Sequence, residues 1–123
     1  MRTLLLVDDE PSIRLTLPLV IAEHGFQVSV ADSVASALNQ MAMHTFDVLV
    51  SDLNIGSPRD GLSVVAAARN TNPGCVAVVL TGYPDDESKA QSLKSGADAY
   101  LIKPADIEML IATIQERQQM HHI

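Results

Sequence analysis

At 123 residues the chain amounts to about one domain, long enough to bury a core without disulfides or a structural metal. Hydrophobic residues make up 47% but aromatics only 3%, so the core must be built from Leu, Val, Ile, Ala and Met, which suits an α/β sandwich. The net charge of -7 argues against nucleic-acid binding by this domain, which would rest on Lys and Arg, and no apolar run approaches the roughly 20 residues of a membrane span. The single Cys75 has no partner within the chain, and only Met1 and Arg2 precede the first apolar run, leaving no room for a signal sequence. A reduced, cytoplasmic protein is expected.

In chain order, Thr3 to Val7 reads as a buried strand that stops at Asp8-Asp9-Glu10. Pro11 opens a helix running to Glu23-His24, with Gly25 as its C-terminal stop. In that helix Ile13, Leu17, Val20 and Ile21 share the face that packs on the sheet, while Leu15, Pro18, Leu19 and Ala22 fall on the opposite face. An outer face ought to be polar, and Pro18 inside a helix costs roughly 3 kcal/mol, so Leu15, Pro18 and Leu19 read either as scattered surface apolar residues on a kinked helix or as an exposed patch for a partner. Phe26 to Ala31 is the second strand, and Asp32 or Ser33 caps a helix whose face is Val34, Ala37, Leu38 and Met41.

Phe46 to Asp52 is the third strand, with a continuous apolar run at Val48 to Val50 that suits burial on both faces of a parallel sheet. Residues 53–61 read as a loop, Leu62 to Arg69 as a helix ended by Asn72-Pro73-Gly74, and Val76 to Leu80 as the fourth strand, closed by Thr81-Gly82. The helix from about Asp85 to Ser95 is almost wholly polar apart from Ala90 and Leu93 and should be the least firmly packed. Tyr100 to Ile102 is the fifth strand, closed by Lys103-Pro104, and Asp106 to about Gln119 is the last helix, with Ile107, Leu110, Ile111 and Ile114 on one face and a frayed tail beyond it.

Strands alternating with helices call for a mostly parallel sheet, because right-handed crossovers dominate such connections. In an open sheet of this kind chemistry collects outside the carboxyl ends of the strands. Asp8, Asp9, Glu10, Asp52, Thr81 and Lys103 all fall at such ends. Taken singly, an Asp pair caps a helix, a Thr-Gly makes a turn and a Lys before Pro is solvated. Together, carboxylates at one rim repel each other and raise each other's pKa unless a cation shares the site. Mg²⁺, which takes one or two carboxylates plus waters and a phosphate oxygen, fits such a rim. Asp52 beside Mg²⁺ can attack phosphorus, while the ion, the Lys103 ammonium and the Thr81 hydroxyl each neutralise one phosphoryl oxygen.

The ordered set Asp8-Asp9, Asp52, Thr81-Gly82, Tyr100 and Lys103-Pro104 resembles a response-regulator receiver domain, the phosphoacceptor module of two-component signalling, over essentially the whole chain. The resemblance implies one receiver domain over residues 1–123, with its core at about 3–119. It implies a flavodoxin-like (βα)5 three-layer sandwich with a five-stranded parallel sheet in the order 2-1-3-4-5. It also implies that Asp8, Asp9, Asp52 and the Asn54 carbonyl hold Mg²⁺, that Asp52 takes a phosphoryl group from a histidine kinase or phosphotransfer protein, and that Thr81 and Lys103 hold that group. Thr81 and Tyr100 would form the switch, and the Lys103-Pro104 bond would be cis. Such a domain catalyses only its own phosphorylation and dephosphorylation, and its homodimers are weak or phosphorylation-dependent.

Several positions depart from the family pattern. Gly56 stands where many members have Pro, Asp60-Gly61 arrives about one residue late, so that a longer and looser loop is expected, and Tyr83 sets a bulky ring beside the entrance to the acyl phosphate. Thr113 occupies the place where winged-helix regulators carry an Arg used in dimerisation. Three other classes compete. A haloacid-dehalogenase phosphatase would want Asp-x-Asp and room for a cap. A flavodoxin would not place three carboxylates in its phosphate loop, and a degenerate receiver would lack some of the chemical positions.

Overall fold

The computed structural model describes residues 2–104 and 106–121. Strands β1 (Arg2–Val7), β2 (Phe26–Ala31), β3 (Val48–Asp52), β4 (Val76–Thr81) and β5 (Ala99–Ile102) alternate with helices α1 (Pro11–Ala22), α2 (Val34–Met43), α3 (Gly61–Thr71), α4 (Asp86–Lys94) and α5 (Ile107–His121). All strand pairs are parallel, in the expected order β2-β1-β3-β4-β5.

The period-two alternation of the strands divides the core in two. Leu5, Val7, Leu49, Ala77 and Val79 face one side, where they meet Ala37 and Met41 of α2 and Val64, Val65 and Ala68 of α3. Leu4, Leu6, Val48, Val50, Val78 and Leu80 face the other, against Ile21 of α1 and Leu110, Ile111 and Ile114 of α5. Each such Leu, Ile or Val fully removed from water contributes about 1.5–3 kcal/mol, and these layers fix the five strand ends along one rim.

The helix boundaries follow from local chemistry. Ser33, not Asp32, caps α2 by accepting from the Ser36 N–H; α1 ends at Ala22 with Glu23 as its C-cap, before the expected end at Glu23-His24, and Gly25, at φ 91°, lies in the turn that follows. On α2, Ala37 and Met41 are buried and Val34 packs against them, whereas Leu38 lies at the edge of the face and is partly exposed. Helix α1 runs unbroken past Pro18, with Ile21 as its fully buried anchor. Helix α5 continues to His121, past the expected end at Gln119, and the rest of the expected frayed tail lies outside the described residues.

Helix α4 packs in an unexpected way. Its apolar residues, Ala90 and Leu93, face solvent, and its buried residues are Ser88 and Ser92. The Ser92 hydroxyl donates to the Ser88 carbonyl at 2.7 Å, and the Ser88 hydroxyl meets the Tyr100 hydroxyl at 2.7 Å. The helix therefore forms with almost no apolar seam. Asp85 caps it by accepting from the Ser88 N–H, Asp86 and Glu87 lie in the first turn and Lys94 in the last, all favourable to the helix dipole.

Candidate functional site

The rim site begins with the parallel ladder. Asp52 pairs with Leu80 and Thr81 with Ile102, and the Lys103 N–H donates to the Thr81 carbonyl at 2.8 Å, so β3, β4 and β5 deliver Asp52, Thr81 and Lys103 to one place. The peptide bond from Lys103 to Pro104 is cis, as expected. From β1 comes Asp8, which is wholly buried. The Lys103 ammonium lies 2.8 Å from Asp8 Oδ2, 3.0 Å from Asp52 Oδ2 and 3.5 Å from Glu10 Oε1.

Burial raises the Asp52 carboxyl above its ordinary pKa, and the neighbouring Asp8 charge adds to that; the Lys103 ammonium and the Asn54 N–H oppose the shift without cancelling it. Desolvation thus outweighs the carboxylate repulsion that the sequence brought to mind. For Lys103, burial pulls the pKa down, but hydrogen bonds and charge from Asp8 and Asp52 outweigh it and make the ammonium harder to deprotonate than an ordinary lysine. Every buried side-chain nitrogen and oxygen among the described residues has a hydrogen-bond partner.

Asp8, Glu10 and Asp52 each place one carboxylate oxygen within 4.8 Å of the others, an all-oxygen donor set suited to a hard divalent cation. Asp8 and Asp52 were expected there; Glu10 was expected only at the rim, and Asp9 is exposed outside the cluster. The reason is local. Glu10 is extended at φ -82°, ψ 117° and its N–H donates to Asp8 Oδ1, so residues two apart in the chain point the same way. That spacing was the available signal for Glu10.

Asn54 donates its N–H to Asp52 Oδ1 at 3.3 Å, while its side-chain oxygen accepts from the Arg59 N–H at 2.7 Å. The Thr81 hydroxyl is buried and accepts from the Tyr83 N–H at 3.0 Å. Tyr100 is half-buried, with its hydroxyl at the start of α4, where it accepts from the Asp85 N–H at 3.3 Å. Tyr83 is exposed and lines a groove with Ile13, Leu17, Ile107 and Lys103 beside the cluster. Cys75 is remote from it, and burial pushes its thiol up to about 12, which leaves it inert as a nucleophile.

The loop after β3 is not loose. The Asp60 carboxylate accepts from the N–H groups of Ile55 (2.6 Å), Gly56 (2.9 Å) and Ser57 (3.0 Å), and Leu53 and Ile55 are buried. One carboxylate replaces the stiffness that a proline at position 56 would have supplied.

The response regulator receiver domain family matches residues 4–115. The transcriptional regulatory protein ZraR of Escherichia coli O157:H7 is 32% identical over 98% of this chain, which spans only 27% of that relative's length. A response regulator from Burkholderia pseudomallei, whose crystal structure contains a phosphorylated aspartic acid, a calcium ion and citrate, is 31% identical and superposes with a TM-score of 0.88 over 98% of this chain and 70% of its own. A CheY-like receiver domain protein from Methanospirillum hungatei JF-1 is 25% identical, with a TM-score of 0.91 over 99% of this chain and 97% of its own.

Proposed function

This chain belongs to the response regulator receiver domain family and is a phosphoacceptor switch of two-component signalling; from that premise we propose that Asp52 is the residue phosphorylated and that Lys103 and Thr81 hold the phosphoryl group. A carboxylate oxygen of Asp52 forms a bond to phosphorus as the bond to the donor's leaving atom breaks, and the electron pair departs with the donor. Mg²⁺ bound by Asp8, Asp9, Asp52 and the Asn54 carbonyl would neutralise one phosphoryl oxygen, with Glu10 close enough to take part. The Lys103 ammonium, kept protonated by its carboxylate neighbours, moves its hydrogen bond from Asp52 to a second oxygen, and the Thr81 hydroxyl takes the third. Thr81 and Tyr100 form the switch, and the domain catalyses no reaction beyond its own phosphorylation and dephosphorylation.

The observation that carries this reading is the Lys103 ammonium bridging Asp8 and Asp52 at 2.8 and 3.0 Å on a rim built by separate strands. Incubation with acetyl phosphate and Mg²⁺ should add one phosphoryl group, seen by intact-mass spectrometry and removed by hydroxylamine. If Asp52→Asn gains such a group to the same extent, the assignment is wrong.

The donor in this reading is a histidine kinase or a phosphotransfer protein, and the domain works in the cytoplasm as a single receiver unit, with homodimers weak or dependent on phosphorylation. Among the described residues no helix is long and apolar enough to cross a membrane. Leu15 and Leu19 of α1 are 73% and 69% exposed and Pro18 is half-buried beside them, which supports docking on this helix. Leu15→Glu with Leu19→Glu should slow phosphotransfer from the cognate histidine donor about tenfold or more, since two apolar anchors are lost. Acetyl phosphate labelling and the melting temperature should stay unchanged. Equal slowing with both donors would mean that the pocket itself was damaged.

A further inference from the structure

Arg59, in the loop between β3 and α3, is the one non-glycine residue with positive φ among the described residues, at 61°. Side chains other than Asn and Asp rarely adopt this left-handed region, and they persist there when surrounding contacts over-determine the backbone. Arg59 has such contacts on two sides. Its N–H donates to the Asn54 side-chain oxygen at 2.7 Å, and Asn54 in turn donates its N–H to Asp52 Oδ1 at 3.3 Å. Its guanidinium reaches α4, donating to Glu87 Oε1 and Gln91 Oε1, both at 3.0 Å, with Asp85 Oδ1 3.9 Å away.

A continuous hydrogen-bonded path therefore leads from the Asp52 carboxylate through Asn54 and Arg59 to the first two turns of α4. We propose that Arg59 is a positioning residue that latches α4 to the loop leaving Asp52, giving phosphorylation of Asp52 a second route to α4 beside the one through Thr81 and Tyr100. The coupling rests on Asp52 being the phosphoacceptor; the latch itself does not.

The size of the effect follows from what else holds α4. Surface ion pairs such as Arg59 with Glu87, the latter 71% exposed, shift an equilibrium by about fivefold or less. On a helix with a full apolar seam that would be negligible. Helix α4 buries only Ser88 and Ser92, leaves Leu93 47% exposed and is otherwise held at its first turn by the Tyr100 hydroxyl through Ser88 and the Asp85 N–H, so the Arg59 contacts compete with few others. Poorly packed segments of this kind open locally at low free-energy cost, and a small bias changes their population measurably.

Backbone hydrogen exchange over residues 86–95 of the unphosphorylated protein tests the latch in Arg59→Glu, Glu87→Arg and the double variant. Arg59→Glu should speed exchange there by about three- to fivefold, and adding Glu87→Arg should recover at least half of the loss. Exchange in Arg59→Glu equal to the wild type, or a double variant as fast as Arg59→Glu, overturns the latch; the second result would mean that Arg59 serves only the loop. For the coupling, the same measurement is repeated after labelling with acetyl phosphate, with occupancy of Asp52 checked by intact mass. Phosphorylation should change α4 exchange less in Arg59→Glu than in the wild type, and an equal change overturns the second route. Failure of Asp52 to take the label would overturn the phosphoacceptor reading and with it the coupling, while the unphosphorylated comparison still decides the latch.

Discussion

Replacing Lys103 by Met should cost about 3–5 kcal/mol at pH 7, a large part of a domain stability of about 5–15 kcal/mol. Met keeps most of the aliphatic stem but removes the ammonium that lies 2.8 Å from the wholly buried Asp8 and 3.0 Å from Asp52, itself only 7% exposed. Two desolvated carboxylates are then left without a counter-charge. The pH dependence has a definite sign. Because the Lys103 pKa is raised above 10.5, its stabilisation is present below that pH and disappears only as the pH climbs through the still higher folded value, so the wild type shows no loss from this group near neutrality. Asp52 works the other way. Its folded pKa is raised above 3.8, so folding is favoured while it is protonated, and this contribution is lost as the pH rises through the raised value.

Without Lys103 the Asp52 pKa climbs further, because two of the causes that lower it are gone. The stability gap between wild type and Lys103→Met should therefore narrow as the pH is lowered from 7 toward the ordinary carboxylate range. Millimolar Mg²⁺ should narrow it too, by binding the folded carboxylate set alone, and Asp8→Asn in the Met background should recover part of the loss. Urea denaturation at both ends of that pH range, with and without Mg²⁺, checks this. A gap indifferent to pH, Mg²⁺ and Asp8→Asn would show that Lys103 contributes by packing and not by charge.

Gly61→Ala should also be severely destabilising, although Gly to Ala inside a helix ordinarily stabilises by roughly 0.5–1 kcal/mol. A Cβ at position 61 would stand 2.0 Å from the Asp52 carbonyl oxygen, 2.9 Å from the Leu53 carbonyl oxygen and 3.1 Å from the Asp52 carbonyl carbon. These atoms are all backbone, and the Gly61 N–H already donates to the Leu53 carbonyl at 2.9 Å, so no side-chain rotation relieves the clash. Overpacking commonly costs 1–3 kcal/mol; with the end of β3 or the start of α3 forced to move, about 3 kcal/mol or more is expected. Since the displaced backbone is that of Asp52, acetyl phosphate labelling should slow along with the loss of stability. Gly74→Ala is the control. Its Cβ would meet only the Asn72 side-chain oxygen at 3.6 Å, and it should stay within about 0.5 kcal/mol of the wild type. If Gly61→Ala melts with the wild type, α3 does not lean on β3 in the way described.

The strands, the helices and most of the rim were legible in the sequence, because those features depend on near neighbours. Period-two runs such as Leu4 to Val7 and helical spacings such as Leu110, Ile111 and Ile114 declare their buried faces whatever they pack against. Strand ends are equally local, so Asp8, Asp52, Thr81 and Lys103 stood out before their distances were known.

Other features depended on distance in space. Lys103 is 95 residues from Asp8 and 51 from Asp52 in the chain, and whether it is solvated or bridges two carboxylates is decided by the β3, β4 and β5 ladder. Electrostatic energy follows separation and burial, neither of which a one-dimensional pattern carries. The same limit explains α4. Its sequence offered only Ala90 and Leu93 as apolar residues, but the buried residues are Ser88, which meets the Tyr100 hydroxyl at the first turn, and Ser92 one turn on. It also explains why the loop after β3 is firm. Composition marked residues 53–61 only as a loop and the departures from the family pattern at Gly56 and Asp60-Gly61 pointed to a loose one, whereas the folded chain aims the Asp60 carboxylate at three N–H groups and sets Gly61 where no side chain fits.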